Sequence, residues 1–224
     1  MDTAVEALAA RAAAGGLTRL GVMGGTFDPV HLGHLVCAEQ AREALGLDAV
    51  VFVPTGRPAF KQDRSVTDGA VRLAMVRAAV AGNDAFCTSA LEVERAGITY
   101  AADTLEELRE ALPATVEIVF ITGADAALSL PRWRRSDDLS RLAAFGAATR
   151  PGFALGAEAV ENLRRCGFDV RPFAVTGIDV SSSDIRRRIA AGRTVRYLVP
   201  EAVRAIIEEH QLYRKEADGG RLAQ

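Results

Sequence analysis

Short apolar runs alternate with helix-period segments along almost the whole chain, and this alternation constrains it to an α/β fold with a mostly parallel sheet. Residues 20–23, 49–53, 86–91, 116–122, 143–149 and 169–175 read as strands, the β-branched 116–122 as a central one. Helical spacing appears at 35–45, 68–81, 99–112, 158–166, 181–191 and 201–211, with shorter helices at 124–130 and 137–142. Val71, Met75 and Val76 are expected on the inner face of one helix, Leu105 and Leu108 on that of another. In open parallel sheets, ligands sit beyond the carboxyl ends of the strands. The turn beginning at Gly24, the stretch from Gly123 to Asp125, and Arg150 all follow predicted strands, so they are expected to converge on one cleft.

At 224 residues, 49% hydrophobic and 25% charged, the chain can bury one good-sized core. No repeat or linker interrupts it, so residues 18–214 are expected to form a single domain. Residues 1–17 read as a helical or flexible extension without the pattern of a signal peptide, and 215–224 as a mobile tail. No run approaches the roughly 20 apolar residues of a membrane span, so a cytoplasmic protein with no membrane partner is expected. A net charge of −2 lacks the basic excess of a nucleic-acid binder. Cys37, Cys87 and Cys166 are scattered and form no CxxC or Cys/His cluster, which argues against structural zinc. A homo-oligomer is compatible with the sequence but not legible in it.

The turn between the first strand and helix reads Gly24-Gly25-Thr26-Phe27-Asp28-Pro29-Val30-His31-Leu32-Gly33-His34. A helix start offers unpaired N–H groups and a partial positive charge, a natural seat for phosphate. Gly24 and Gly25 would let the backbone approach a ligand and take up positive φ. His31 and His34, three residues apart, would share one helix face. His210 lies far away in the last helix, so these histidines are not read as a metal site, and no protein metal ligand is expected. A second constellation, Ser181-Ser182-Ser183-Asp184-Ile185-Arg186, opens a later helix. Its serines could simply cap that helix, or with Arg186 hold a polyphosphate.

With both stretches in view, the chain resembles nucleotidyltransferases that carry a (T/H)xGH motif near one end and an SSTxxR-like motif near the other. His31-Leu32-Gly33-His34 matches the first; residues 181–186 match the second, with Ser183 where threonine is usual. Within that superfamily it resembles the bacterial nicotinate mononucleotide adenylyltransferases. Gly97-Ile98-Thr99-Tyr100-Ala101-Ala102-Asp103-Thr104 is similar to their GxSYTxDT segment, and Gly123-Ala124-Asp125 to their GAD strand end. Trp133, Arg150-Pro151-Gly152, Tyr197-Leu198-Val199-Pro200 and Leu212-Tyr213 also fit, so the likeness runs over residues 18–214. Two departures stand out: Phe60 replaces the histidine of a PPHK-like segment, keeping Lys61, and Ala101 replaces a threonine.

The resemblance implies a Rossmann-like, doubly wound sheet with helices on both faces and a small C-terminal helical segment. It implies adenylyl transfer from ATP, carrying Mg²⁺, to nicotinate mononucleotide, giving deamido-NAD and pyrophosphate by in-line attack without a covalent enzyme intermediate. His31, His34, Lys61 and Arg186 would be catalytic. Gly24, Gly25, Thr26, Phe27, Gly33, Asp125, Arg150, Ser181, Ser182, Ser183 and Ile185 would contact ATP. Thr99, Tyr100, Thr104 and Trp133 would meet the pyridine nucleotide. Two of these residues have plainer alternatives: Asp125 as a helix cap, and Trp133 as a partly buried core aromatic. Adenylyl transfer to phosphopantetheine, cytidylyl transfer to an alcohol phosphate, and a regulatory nucleotide binder are the rival readings.

Overall fold

The computed structural model describes residues 2–58, 66–150 and 155–214. Helix α1 (Thr3–Ala13) leads into β1 (Arg19–Gly25), α2 (Leu32–Leu45), β2 (Ala49–Pro54) and β3 (Arg57–Pro58). Then come α3 (Gly69–Val80), β4 (Phe86–Thr88), α4 (Leu91–Glu94), β5 (Ile98–Thr99), α5 (Ala101–Ala111) and β6 (Glu117–Gly123). The second half holds α6 (Ala124–Ala127), a 3₁₀ turn (Leu130–Arg132), α7 (Ser136–Leu142), β7 (Ala144–Thr149), α8 (Ala157–Arg165), β8 (Val170–Ala174), α9 (Ser182–Ala190) and α10 (Glu201–Glu209).

Six strands form one parallel sheet in the order β4-β2-β1-β6-β7-β8. This is the doubly wound Rossmann order, and the chain reverses its winding direction between β1 and β6. Period-two alternation divides the strand residues between two cores. Val22, Val51, Ile118 and Phe145 face one side, where Leu105 and Leu108 of α5 and Leu139 of α7 pack. Val50, Phe52, Val119 and Ile121 face the other, against Ala38 and Ala41 of α2, Met75 and Val76 of α3, and Ile185 of α9.

Three local expectations are corrected. Of the two readings of the N-terminal segment the helical one holds, but it is packed rather than an extension: Asp2 caps α1 through the amides of Ala4 and Val5, and Val5 and Leu8 are buried in the core. The loop after β2 contains β3, which pairs with β5 in a two-residue ladder too short to show any periodicity. Gly24 and Gly25 do not take up positive φ, because β1 continues through them in register with Val53 and Pro54. They make room for rings instead: a Cβ on Gly25 would stand 3.0 Å from Phe27, and one on Gly24 would stand 3.3 Å from Phe120. The positive φ of this turn falls on Phe27, at 47°.

Candidate active site

A cleft of about 570 Å³ opens at the carboxyl ends of β1, β6 and β7, beside the point where the winding reverses. Gly24, His31, Gly33, His34, Asp125 and Arg150 line it, with Val180 just before the serine stretch. The convergence expected of three strand-following segments is therefore what the fold delivers.

His31 is the N-cap of α2, in extended conformation, rather than a residue of its first turn. Even so, its ring stacks on that of His34, with centroids 3.7 Å apart. The His31 main-chain N–H donates to His34 Nδ1 at 3.2 Å. With Nδ1 accepting, Nε2 is left as the ring nitrogen that can donate to a ligand. The Phe27 ring, only 2% exposed, supports His34 edge-on at 5.0 Å. Burial pushes the His31 pKa down to about 4, so His31 is neutral at pH 7. Around them the helix start is closely fitted. The amides of Leu32 and His34 bond to the carbonyls of Leu198 and His31. Gly33 lies between them, where a Cβ would come within 3.1 Å of His31 Nδ1 and of Val180.

The serine stretch is bonded directly to this turn. Ser181 caps α9, its Oγ accepting from the Asp184 amide at 3.1 Å. Ser182 Oγ donates to the Pro29 carbonyl at 2.9 Å. Arg186 Nη1 donates to the Asp28 carbonyl at 2.6 Å, and its Nη2 to Ser183 Oγ at 3.1 Å. One serine caps, one joins the two motifs, and one holds the arginine. Ile185 is fully buried beneath them, so its side chain anchors α9 and presents nothing to a ligand.

This geometry agrees with the comparisons. Residues 22–188 match the family described as Cytidylyltransferase-like. A relative from Thermoanaerobacter sp. (strain X514) is 42% identical over 205 residues, covering 90% of this chain and 97% of its own length. One from Desulfitobacterium hafniense (strain Y51) is 46% identical over 200 residues, covering 88% and 96%. Both bear the name "Probable nicotinate-nucleotide adenylyltransferase". The chain belongs to the nicotinate-nucleotide adenylyltransferase family. A nicotinic acid mononucleotide adenylyltransferase of Plasmodium falciparum, solved in complex with NaAD, shares the fold with a TM-score of 0.71 at 17% identity, covering 88% of this chain and 97% of that one.

As a member of the adenylyltransferase family, the chain is a nucleotidyltransferase, and its remaining candidate residues fall into two groups. Asp125 and Arg150 are exposed on the cleft wall. Gly123 rather than Asp125 is the N-cap of α6, so the alternative reading of Asp125 as that cap does not hold. The second group lies across the sheet from α2. Trp133 is half-buried, meets Phe120 edge-on at 6.0 Å, and donates from Nε1 to Ser129 Oγ at 2.8 Å. It therefore packs on the core while leaving part of its ring accessible. Tyr100 is the N-cap of α5, with the Arg134 guanidinium 4.6 Å above its ring. Thr99 is buried in β5.

Thr104 is not a ligand-facing residue. It is 1% exposed, donates to Glu92 Oε1 at 2.8 Å and accepts from Arg95 Nη1 at 3.2 Å. Burial raises the pKa of the Glu92 carboxyl, against opposing bonds from Thr104 and Thr99. Here a glycine is required: a Cβ on Gly56 would overlap the Glu92 carbonyl at 1.9 Å. Lys61 and Phe60, together with Pro151 and Gly152, lie outside the described residues.

Sequence reasoning missed Arg72. It is 1% exposed in α3 and donates to three carbonyls: Thr67 at 2.7 Å, Thr26 at 2.8 Å and Gly56 at 3.0 Å. It thus joins the turn after β1 to the segments before and after residues 59–65. The signal was present: Arg72 stands three and four residues before Met75 and Val76, so it belongs to the apolar face of α3. Among the described residues, no three His, Cys, Asp or Glu side chains converge as a metal site. Nor is any helix long and apolar enough to cross a membrane.

Proposed function

We propose that this chain transfers the adenylyl group of ATP to nicotinate mononucleotide, releasing pyrophosphate and forming deamido-NAD. The observation that carries the reading is the bonded meeting of two helix starts at the reversal point of the sheet. Ser182 and Arg186 of α9 hold the Pro29 and Asp28 carbonyls of the turn that leads into His31 and His34. The names borne by the relatives supply the acceptor, and the NaAD complex of the Plasmodium neighbour is consistent with it.

A 5′-phosphate oxygen of the mononucleotide attacks the α-phosphorus of ATP in line, and pyrophosphate leaves. The nucleophile is already an anion, so the site has no need of a strong base. What it must do is hold two anions together and stabilise charge on the phosphoryl oxygens. His34, through Nε2, and neutral His31 act as hydrogen-bond donors rather than as acids. The start of α2, at Gly33, adds its partial positive charge. Arg186 and Lys61 neutralise the polyphosphate. ATP would carry Mg²⁺, which would screen phosphate charge, and no protein ligand is assigned to it.

Asp125 bonds a ribose hydroxyl, Arg150 lies on the adenosine side, and Gly24, Gly25, Thr26 and Phe27 contribute main chain. The pyridine ring stacks on the accessible part of Trp133, with the main chain at Thr99 and Tyr100 meeting its carboxylate. The test is pyrophosphate release from ATP and Mg²⁺ with different acceptors. Release with nicotinate mononucleotide and none with phosphopantetheine supports the reading. Binding of both substrates without release favours a regulatory nucleotide binder.

A further inference from the structure

We propose that Tyr213 is a positioning residue for Arg186, acting through the carboxylate of Asp28. The proposal rests on the reading above in which Arg186 meets the polyphosphate. Tyr213 lies beyond α10, packs against the core, and has a left-handed backbone with φ of 60°. Its hydroxyl donates to Asp28 Oδ1 at 2.7 Å, across 185 residues of chain. Burial pushes the phenol pKa well above its ordinary range, so the hydroxyl stays a donor. Asp28 is itself buried, at 5% exposure. Its other oxygen stands 3.9 Å from Arg186 Nη1, which bonds the Asp28 carbonyl instead.

Two acceptors on one residue therefore divide the work. The main-chain carbonyl orients the guanidinium, and the carboxylate is kept at a long distance because Tyr213 holds its other oxygen. In a site of low dielectric, a carboxylate released from that bond would swing onto the guanidinium. The resulting close ion pair would neutralise the cation that the phosphates need. A phenylalanine would pack at this position as well as tyrosine, so what remains to be explained is the hydroxyl. It bonds Thr67 as well, but only its bond to Asp28 reaches a charged group beside Arg186.

The test uses Tyr213→Phe, Arg186→Gln and the double variant of the full chain. Affinity for ATP with Mg²⁺ is measured by calorimetry, and steady-state constants are measured for ATP and nicotinate mononucleotide. Loss of the hydroxyl should weaken ATP binding about tenfold, the effect of a hydrogen bond to a charged group. KM for the mononucleotide should not move. In the Arg186→Gln background the same change should have less than about a twofold effect, since coupled residues are not additive. Additive losses overturn the proposal. So does a lowered thermal midpoint with ATP affinity intact, or an Arg186→Gln protein that binds ATP normally. A wild-type protein that binds ATP but releases no pyrophosphate defeats the adenylyl-transfer reading, while the binding cycle still decides the role of Tyr213.

Discussion

His31 and His34 stack ring on ring, with centroids 3.7 Å apart and planes inclined by 26°. Two imidazoles this close cannot both be charged without strong repulsion, and burial keeps His31 neutral at pH 7. The His31 amide donates to His34 Nδ1, which leaves Nε2 as that ring's donor. In the proposed reaction the pair would offer hydrogen-bond donors to a phosphate, His31 without a charge of its own at neutral pH.

Replacing His34 by alanine should remove one such donor. The expected outcome is a fall in kcat of about 10²-fold or more, with unchanged circular dichroism, as for other lost transition-state donors. Near-normal turnover would take His34 out of the reaction.

His31 makes the ligand-free protein sensitive to mild acid. Its folded pKa of about 4 lies below the 6.5 of an exposed imidazole, so the unfolded chain takes up a proton first as pH falls. Its stabilising contribution is fully present above pH 6.5 and is lost as pH falls from there toward 4. By pH 5 the loss is about 2 kcal/mol. Unfolding of wild type and His31→Asn in urea at pH 7.5 and 5 should show the smaller acid loss in the variant. Equal losses would contradict the assignment.

Arg72→Met removes the guanidinium bonds to the carbonyls of Thr26, Gly56 and Thr67. A loss of about 2–3 kcal/mol is expected, because a guanidinium that bonds three part-buried carbonyls is removed at once. Arg72→Lys should recover only part of it, a point ammonium being unable to reproduce the planar fork. Denaturant midpoints measure both.

Trp133→Ala should raise KM for nicotinate mononucleotide while leaving that for ATP unchanged. Thr104→Val, by contrast, should lower stability through the bond lost to the buried Glu92 carboxyl, without changing either KM. Wild type should prefer nicotinate over nicotinamide mononucleotide in kcat/KM. Comparable values for the acid and the amide would remove that preference.

The strand–helix alternation was readable because β1, β2, β6 and β7 are buried on both faces and therefore continuously apolar. For the same reason the cleft residues Asp125 and Arg150 could be placed from position alone, each following a strand. The side chains of Thr104 and Ile185 are buried, which the motifs could not show, because a motif match does not distinguish a side chain that faces a ligand from one that supports the main chain. Arg72, Asp28 and Tyr213 act across 46, 158 and 185 positions of chain, and local pattern has no access to such pairings. The β3–β5 ladder was hidden by its two-residue length.

The most direct measurement follows the fate of ATP labelled in its α-phosphate, incubated with the protein, Mg²⁺ and nicotinate mononucleotide. The account predicts that the label moves into a dinucleotide while the β- and γ-phosphates leave together as unlabelled pyrophosphate. Label that stays in ATP, or that leaves as free AMP or ADP with no dinucleotide formed, would contradict adenylyl transfer at this site.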